Sequence, residues 1–324
     1  MKRLIPISFL AALLIAGCNE TPEKQPETQQ QSSAPKAEAM WAAPSLSSLG
    51  NSPEDSLVNY GFQLVSNTAY YLGPKGKVAH ITNGMNCQNC HLEAGTKVWG
   101  NNYSAVAANY PKYRERSGSI ETVYKRINDC IQRSLNGKAL DTSSREMQAL
   151  KAYVEWVGKD VPKNTKPNGA GITDVAYLDE AANAEKGKIV YMAKCATCHN
   201  KDGMGKVDSA TGNYQYPPLW GPHSYTSGAG MYRISRLAGF VQSNMPFGTN
   251  YQHPQLSDAD AWNVAAFVNS QPRPGYNLSK DWPKLSAKPF DHPFGPYADT
   301  FTVKQHKYGP FLPIIAYKNQ VKEK

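Results

Sequence analysis

The sequence predicts a mainly α protein: two similar helical halves in tandem, followed by an irregular C-terminal extension. Three observations carry that prediction. A short pattern, C-x-x-C-H, occurs twice, as Cys87-Gln88-Asn89-Cys90-His91 and Cys195-Ala196-Thr197-Cys198-His199, with first cysteines 108 residues apart. A helix-like stretch precedes each copy, and a helix with a capping pattern closes each half. After Pro272 the prolines recur from Pro274 to Pro313 too densely for regular structure.

Taken in order, the chain opens like an export signal. Lys2 and Arg3 precede an apolar stretch, Ile5 to Ala16, of roughly a dozen residues, short of the ~20 that span a bilayer. It ends in Leu14-Ile15-Ala16-Gly17-Cys18, which looks like a bacterial lipobox. Residues 1–18 are therefore expected to be a lipoprotein signal ending in a lipidated Cys18; an ordinary cleaved signal is the alternative. No later segment is apolar enough to span, so membrane contact would be by lipid anchor alone, in the periplasm. Residues 19–45 contain Gln29-Gln30-Gln31-Ser32-Ser33 and little to bury, and read as a disordered tether reaching about 30 Å.

The chain carries 35 basic and 26 acidic residues, a net charge of +9. The leader and tether hold four of each sign (Lys2, Arg3, Lys24, Lys36; Glu20, Glu23, Glu27, Glu38), so the balance survives their removal. A basic exported protein suits an anionic substrate, an acidic redox partner or an anionic surface. Nucleic acid is excluded as a partner by export and by the chemistry below.

The first half, residues 46–160, starts with a helix over Glu54 to Ser66. It closes with Ser143-Ser144-Arg145-Glu146 leading into Met147 to Val157, where Leu150, Tyr153, Val154 and Val157 fall at helical spacing. Residues 161–175, with Pro162, Pro167, Gly169 and Gly171, read as a linker. The second half, residues 176–274, repeats the scheme with Glu180 to Ala193 and with Ser257-Asp258-Ala259-Asp260 before Ala261 to Val268. Residues 275–324 read as an irregular strap packed on the halves, because Trp282, Phe290, Phe294, Phe301 and Phe311 would be poorly placed in water.

C-x-x-C-H is the attachment pattern of c-type haem: both thiols form thioethers to the porphyrin, and the histidine binds iron. Cys87, Cys90, Cys195 and Cys198 would hold two covalent haem c groups, with His91 and His199 as iron ligands. The arrangement resembles two tandem cytochrome c domains, in which haem supplies much of a small core. Each iron then needs a second ligand or an open site. For the second, Met245 in Asn244-Met245-Pro246-Phe247 stands in a loop before the last helix, ahead of Met192, Met204 and Met231. The first half has no such methionine, since Met85 adjoins the motif, Met147 lies in the closing helix, and His80 precedes the motif too closely.

At a similar distance after His91 stands Cys130. Ile120 to Leu135 reads as a helix with Val123, Ile127 and Ile131 on its apolar side. Cys130 falls at the edge of that stripe, beside a basic side carrying Arg126 and Arg133, with Ser134 one turn on. The plain reading is a small buried hydrophobe; the missing methionine favours a ligand role.

These residues, the two haem motifs, Arg126 to Gly137 around Cys130, and Met245-Pro246, resemble the dihaem cytochrome c thiosulfate dehydrogenase / tetrathionate reductase family over roughly Pro53 to Pro274. The resemblance implies His91/Cys130 ligation of a catalytic first haem, a relay role for the second, and a substrate site lined by Arg116, Arg126 and Ser134. Where some members carry a lysine beside the methionine, this chain has Asn244. The implied reaction joins two thiosulfate ions into tetrathionate with two electrons, passed to a periplasmic redox protein such as a small cytochrome c. Rival readings are a tandem electron shuttle without catalysis, a cytochrome conjugating thiosulfate to a carrier protein, and a dihaem peroxidase.

Overall fold

Two helix crossings organise the chain, one in each half, in a computed structural model that describes residues 39–322. Helix α1 (Pro53–Ser66) begins where Ser52 accepts from the backbone N–H of Asp55, with Pro53 in the first turn beside two acidic residues. Strands β1 (Lys112–Arg114) and β2 (Ser119–Glu121) form an antiparallel hairpin, Arg114 opposite Ser119. Helix α2 (Val123–Ser134) follows, capped by Thr122. Helix α3 (Arg145–Val157), capped by Ser144, lies across α1 and buries Leu150, Tyr153, Val154 and Val157 in one cluster with Leu64 and Val65.

The second half repeats the crossing. Helix α4 (Ala184–Lys194) starts where the Asn183 side chain accepts from two backbone N–H groups. Helix α5 (Ile234–Asn244) runs to Met245, and helix α6 (Asp258–Ser270) starts at a Ser257 cap. α6 is buried on almost every side, because it packs between α4 and the C-terminal extension, with Trp262 2% exposed. In both crossings the helices approach at a glycine. A Cβ on Gly61 would lie 2.0 Å from the Ala149 carbonyl oxygen, and one on Gly187 would lie 1.8 Å from that of Asn263. Neither position has room for any side chain.

Four expectations change in detail. The helix read from Ile120 begins at Val123, because residues 119–121 pair with β1 and Ile120 points to solvent. Residues 39–45, assigned to the tether, are packed in part: the Trp41 N–H donates to Asn168 O at 2.9 Å, and Trp41 lies against the first core. Residues 1–38, with Cys18, fall outside the described residues. The linker is a structural member: Trp99 N–H donates to Gly169 O at 2.8 Å and Asn101 N–H to Gly171 O at 2.7 Å, while Ile172 is buried. The extension is less irregular than expected. It contains helices α7 (Val303–Tyr308) and α8 (Leu312–Lys322), and it seats Phe311 and Ile314 in the second core.

A third apolar cluster joins the halves. Met85 and Leu135 of the first half meet Tyr225, Ala229, Met231 and Phe240 of the second, with Ile172 between them. The first haem motif lies on this cluster, as Cys87 and Cys90 pack against it.

Candidate active site

The two motif histidines are oriented in the same way. His91 Nδ1 is 2.6 Å from Asn101 O, and His199 Nδ1 is 2.9 Å from Pro217 O. A carbonyl only accepts, so each Nδ1 carries the proton and donates. That leaves each Nε2 with its lone pair for a metal, the usual arrangement of a ligating histidine. The Asn101 carbonyl is itself held in place, because the Asn101 backbone N–H is bonded to the linker.

A cavity of about 370 Å³ opens beside Cys87, Cys90 and His91. Val65, Leu72, Met85, Leu150 and Val154 give it an apolar wall, and Cys130, Arg116, Arg126 and Ser134 line it as well. The residues singled out in the first half thus converge on one space. All five described cysteines are free of disulfides.

The thiols differ sharply in acidity. Burial pushes the Cys87 thiol up to about 11 and the Cys90 thiol up to about 12. Burial also acts to raise Cys130. Against it stand the Arg126 guanidinium, a hydrogen bond with His91 and the charge of Arg116, which bring Cys130 down to about 6. Guanidinium groups stabilise thiolate directly. Cys130 in return holds Arg126 above its ordinary value. Arg116 is fixed from behind, since its Nη2 donates to Asp129 Oδ2 at 2.7 Å.

Sequence reasoning placed Arg133 on the basic side of this helix without assigning it to the site, and it missed the rest of this wall. Arg133 lines the cavity and is 8% exposed. Its Nη1 and Nη2 each donate at 2.7 Å to the two carboxylate oxygens of Asp281, in the strap. Arg133 follows Cys130 by three residues, so helical spacing was a usable signal. Arg233 and Arg236, from the second half, and Trp282, from the strap, also line the cavity. Nothing local in their sequence marks them.

In the second half, burial pushes the Cys195 thiol up to about 11 and the His199 imidazole below its ordinary value. Met245 caps α5 and packs, half-buried, on the cluster joining the halves. Of its competitors, Met231 lines the first cavity instead, and Met192 and Met204 are exposed. In the first half Met147 is fully buried in α3 and His80 is exposed.

Comparison with known proteins gives the two halves names. Residues 77–162 match the family model "SoxA/TsdA, cytochrome c domain", and residues 184–272 match "Cytochrome c". A thiosulfate dehydrogenase of Psychrobacter arcticus is 37% identical over 239 residues, 72% of this chain and 70% of its own length. One of Stutzerimonas stutzeri is 34% identical, over 78% of this chain and 79% of its own. The chain belongs to the thiosulfate dehydrogenase family. A solved thiosulfate dehydrogenase, TsdBA of Marichromatium purpuratum, superposes with a TM-score of 0.67 at 29% identity over 77% of this chain. The chain spans about half of that longer protein, 51%.

The protein is therefore two tandem cytochrome c domains, and such domains carry haem c covalently, one each. The residues fit the group. Each motif presents two thiols and a histidine whose Nδ1 is held by a backbone carbonyl so that Nε2 is the nitrogen left to turn toward a metal, and in the first half they border a cavity with an apolar wall and a cationic rim. Two buried donors near that cavity, Trp282 Nε1 and Arg133 Nε, have no acceptor among the described residues.

Proposed function

We propose that this protein interconverts two thiosulfate ions and tetrathionate with transfer of two electrons, at a first haem held by His91 and Cys130. The second haem, held by His199 and Met245, relays electrons to a periplasmic redox protein such as a small cytochrome c. Lipidation of Cys18 would keep the enzyme at a membrane surface, a reading supported by the lipobox. The observation that carries the proposal is the placing of Cys130: a half-buried sulfur in the wall of the cavity that His91 borders, with Arg116, Arg126 and Ser134 lining the same space.

The chemistry follows from charge and sulfur. Thiosulfate is a dianion, and joining two of them brings like charges together. Arg116 and Arg126 offset that repulsion and offer paired N–H donors to sulfonate oxygens, with the Ser134 hydroxyl beside them. The Cys130 thiolate bonds to the outer sulfur of the first thiosulfate, giving a cysteine S-thiosulfonate and releasing two electrons. When bound, the two haems supply the electron sink, one electron each. The outer sulfur of a second thiosulfate then attacks the outer sulfur of the adduct. The bond to Cys130 breaks, tetrathionate leaves with two negative charges, and Cys130 returns as thiolate. Thiol–disulfide exchange is the general form of that second step.

The test is thiosulfate oxidation with an artificial acceptor, wild type against Cys130→Ala at matched haem content. The proposal expects activity in the wild type and its loss in the variant. Equal activity in both would remove Cys130 from the mechanism. Inactivity of fully loaded wild type would leave the electron shuttle or the carrier-dependent reading.

A further inference from the structure

We propose that the C-terminal strap and the second half together build an oxyanion seat beside the first cavity. A side pocket of about 40 Å³ opens between Arg116, Arg233, Trp282 and His292, with the Asp281 carboxylate, paired to Arg133, also in its wall. Arg116, Arg233 and Trp282 also line the main cavity, so the two spaces adjoin. The side pocket has room for roughly a few waters, and hence for one small head group such as a sulfonate or a carboxylate.

Three features show that the strap is placed with care. Trp282 has φ 60, a backbone region that bulky residues avoid. Its N–H donates to Arg116 O at 2.7 Å, so the strained residue is tied to a cavity arginine. Next to it, Asp281 grips Arg133, one turn beyond Cys130. Further on, the fully buried Asp291 accepts from Arg233 Nε at 2.7 Å and from the backbone N–H of Ser235 at 3.2 Å. The strap therefore fixes arginines of both halves at the same rim.

The donors it leaves are specific. The Trp282 indole N–H is buried with no acceptor among the described residues, and buried donors in native proteins are normally satisfied. Arg233 binds Asp291 through Nε and Nη2, which leaves Nη1 for another acceptor. Asp129 and Asp291 offset the charges of Arg116 and Arg233. The seat therefore holds its occupant by directed hydrogen bonds more than by net field. Two oxyanions fit that chemistry: a propionate of the first haem, or the sulfonate of the second thiosulfate. The sulfonate occupant rests on the function proposed above; the propionate occupant does not.

The experiment uses the haem-loaded protein with two variants. Trp282→Phe removes the N–H and keeps an aromatic ring, and Arg233→Gln with Asp291→Asn removes a buried pair together. Each is read for the midpoint potential of the first haem and for KM and kcat with thiosulfate. A propionate occupant predicts a lower potential with KM unchanged, since a carboxylate less neutralised favours ferric iron. A sulfonate occupant predicts KM raised about tenfold with the potential unchanged. Either shift supports the seat. Folded, loaded variants with wild-type values of both quantities would overturn it. If the wild type does not oxidise thiosulfate, the proposed function fails separately; the potential then decides, and an unchanged one overturns the seat.

Discussion

Helix α1 meets α3 at Gly61, and helix α4 meets α6 at Gly187, so the two halves share a frame down to the residue that lets the helices touch. They share the histidine arrangement too, Nδ1 to a backbone carbonyl in both. They part company around the residue proposed as the second ligand. The first half sets Cys130 in a cavity rimmed by arginines from both halves. The second packs aromatic rings, with Tyr191 and Trp220 at 5.0 Å and Trp220 and Phe267 at 5.5 Å, and has Met245 in its loop. The lesson is a division of labour. The frame and the histidine are common to both halves, and on the function proposed above the residues around the other ligand decide whether an anion can reach the iron.

The largest effect should come from erasing that difference. Cys130→Met gives the first half the kind of sulfur proposed for the second, with no thiolate. Thiosulfate oxidation should fall by about three orders of magnitude at unchanged haem content. Retention of most activity would mean that the comparison has been drawn at the wrong residue.

Next comes the shared frame. Gly→Ala inside a helix ordinarily gains roughly 1 kcal/mol, yet Gly61→Ala and Gly187→Ala should each lose roughly 2–3 kcal/mol by overpacking. Chemical unfolding of the haem-loaded variants reads this out, and a variant as stable as wild type would break the equivalence on its side. A smaller and more local change is expected from Met245→Ala. It should lower the second haem's potential, slow delivery to an external acceptor, and leave the absorption of the first haem unaltered. Perturbation of the first haem alone would reassign Met245.

The smallest effect is a pH dependence carried by the strap. Burial acts to raise the Asp291 carboxyl, but Arg233 and Ser235 outweigh it and hold it below its ordinary value. A depressed carboxylate contributes stability that is fully present above the unfolded value, about 4, and is lost as pH falls through the folded one. Asp291→Asn should therefore flatten the acid limb of thermal stability relative to wild type. Parallel acid limbs in the two proteins would show that Asp291 contributes nothing there.

Much of this was legible in the chain. C-x-x-C-H requires its residues to be adjacent, because two thiols and an imidazole must reach one porphyrin, and adjacency is what a sequence displays. Two helix starts were legible for the same reason: Ser144 and Ser257 act on N–H groups three residues away. Cys130, Arg126 and Ser134 share one helix, so their common face followed from 3.6 residues per turn. Where local rules competed, the sequence misled. Ile120 fits the helical stripe, but hairpin pairing claimed residues 119–121.

Tertiary structure alone decided what surrounds the cysteine. Arg233 and Arg236 stand more than a hundred residues from Cys130, and Trp282 lies in a proline-rich tail, yet all line its cavity. The partnerships of Arg133 with Asp281 and of Arg233 with Asp291 join different parts of the chain. No periodicity encodes such contacts, because they depend on how the halves dock and where the strap crosses them. The motifs and helices were written locally, and the site's charge was assembled by packing.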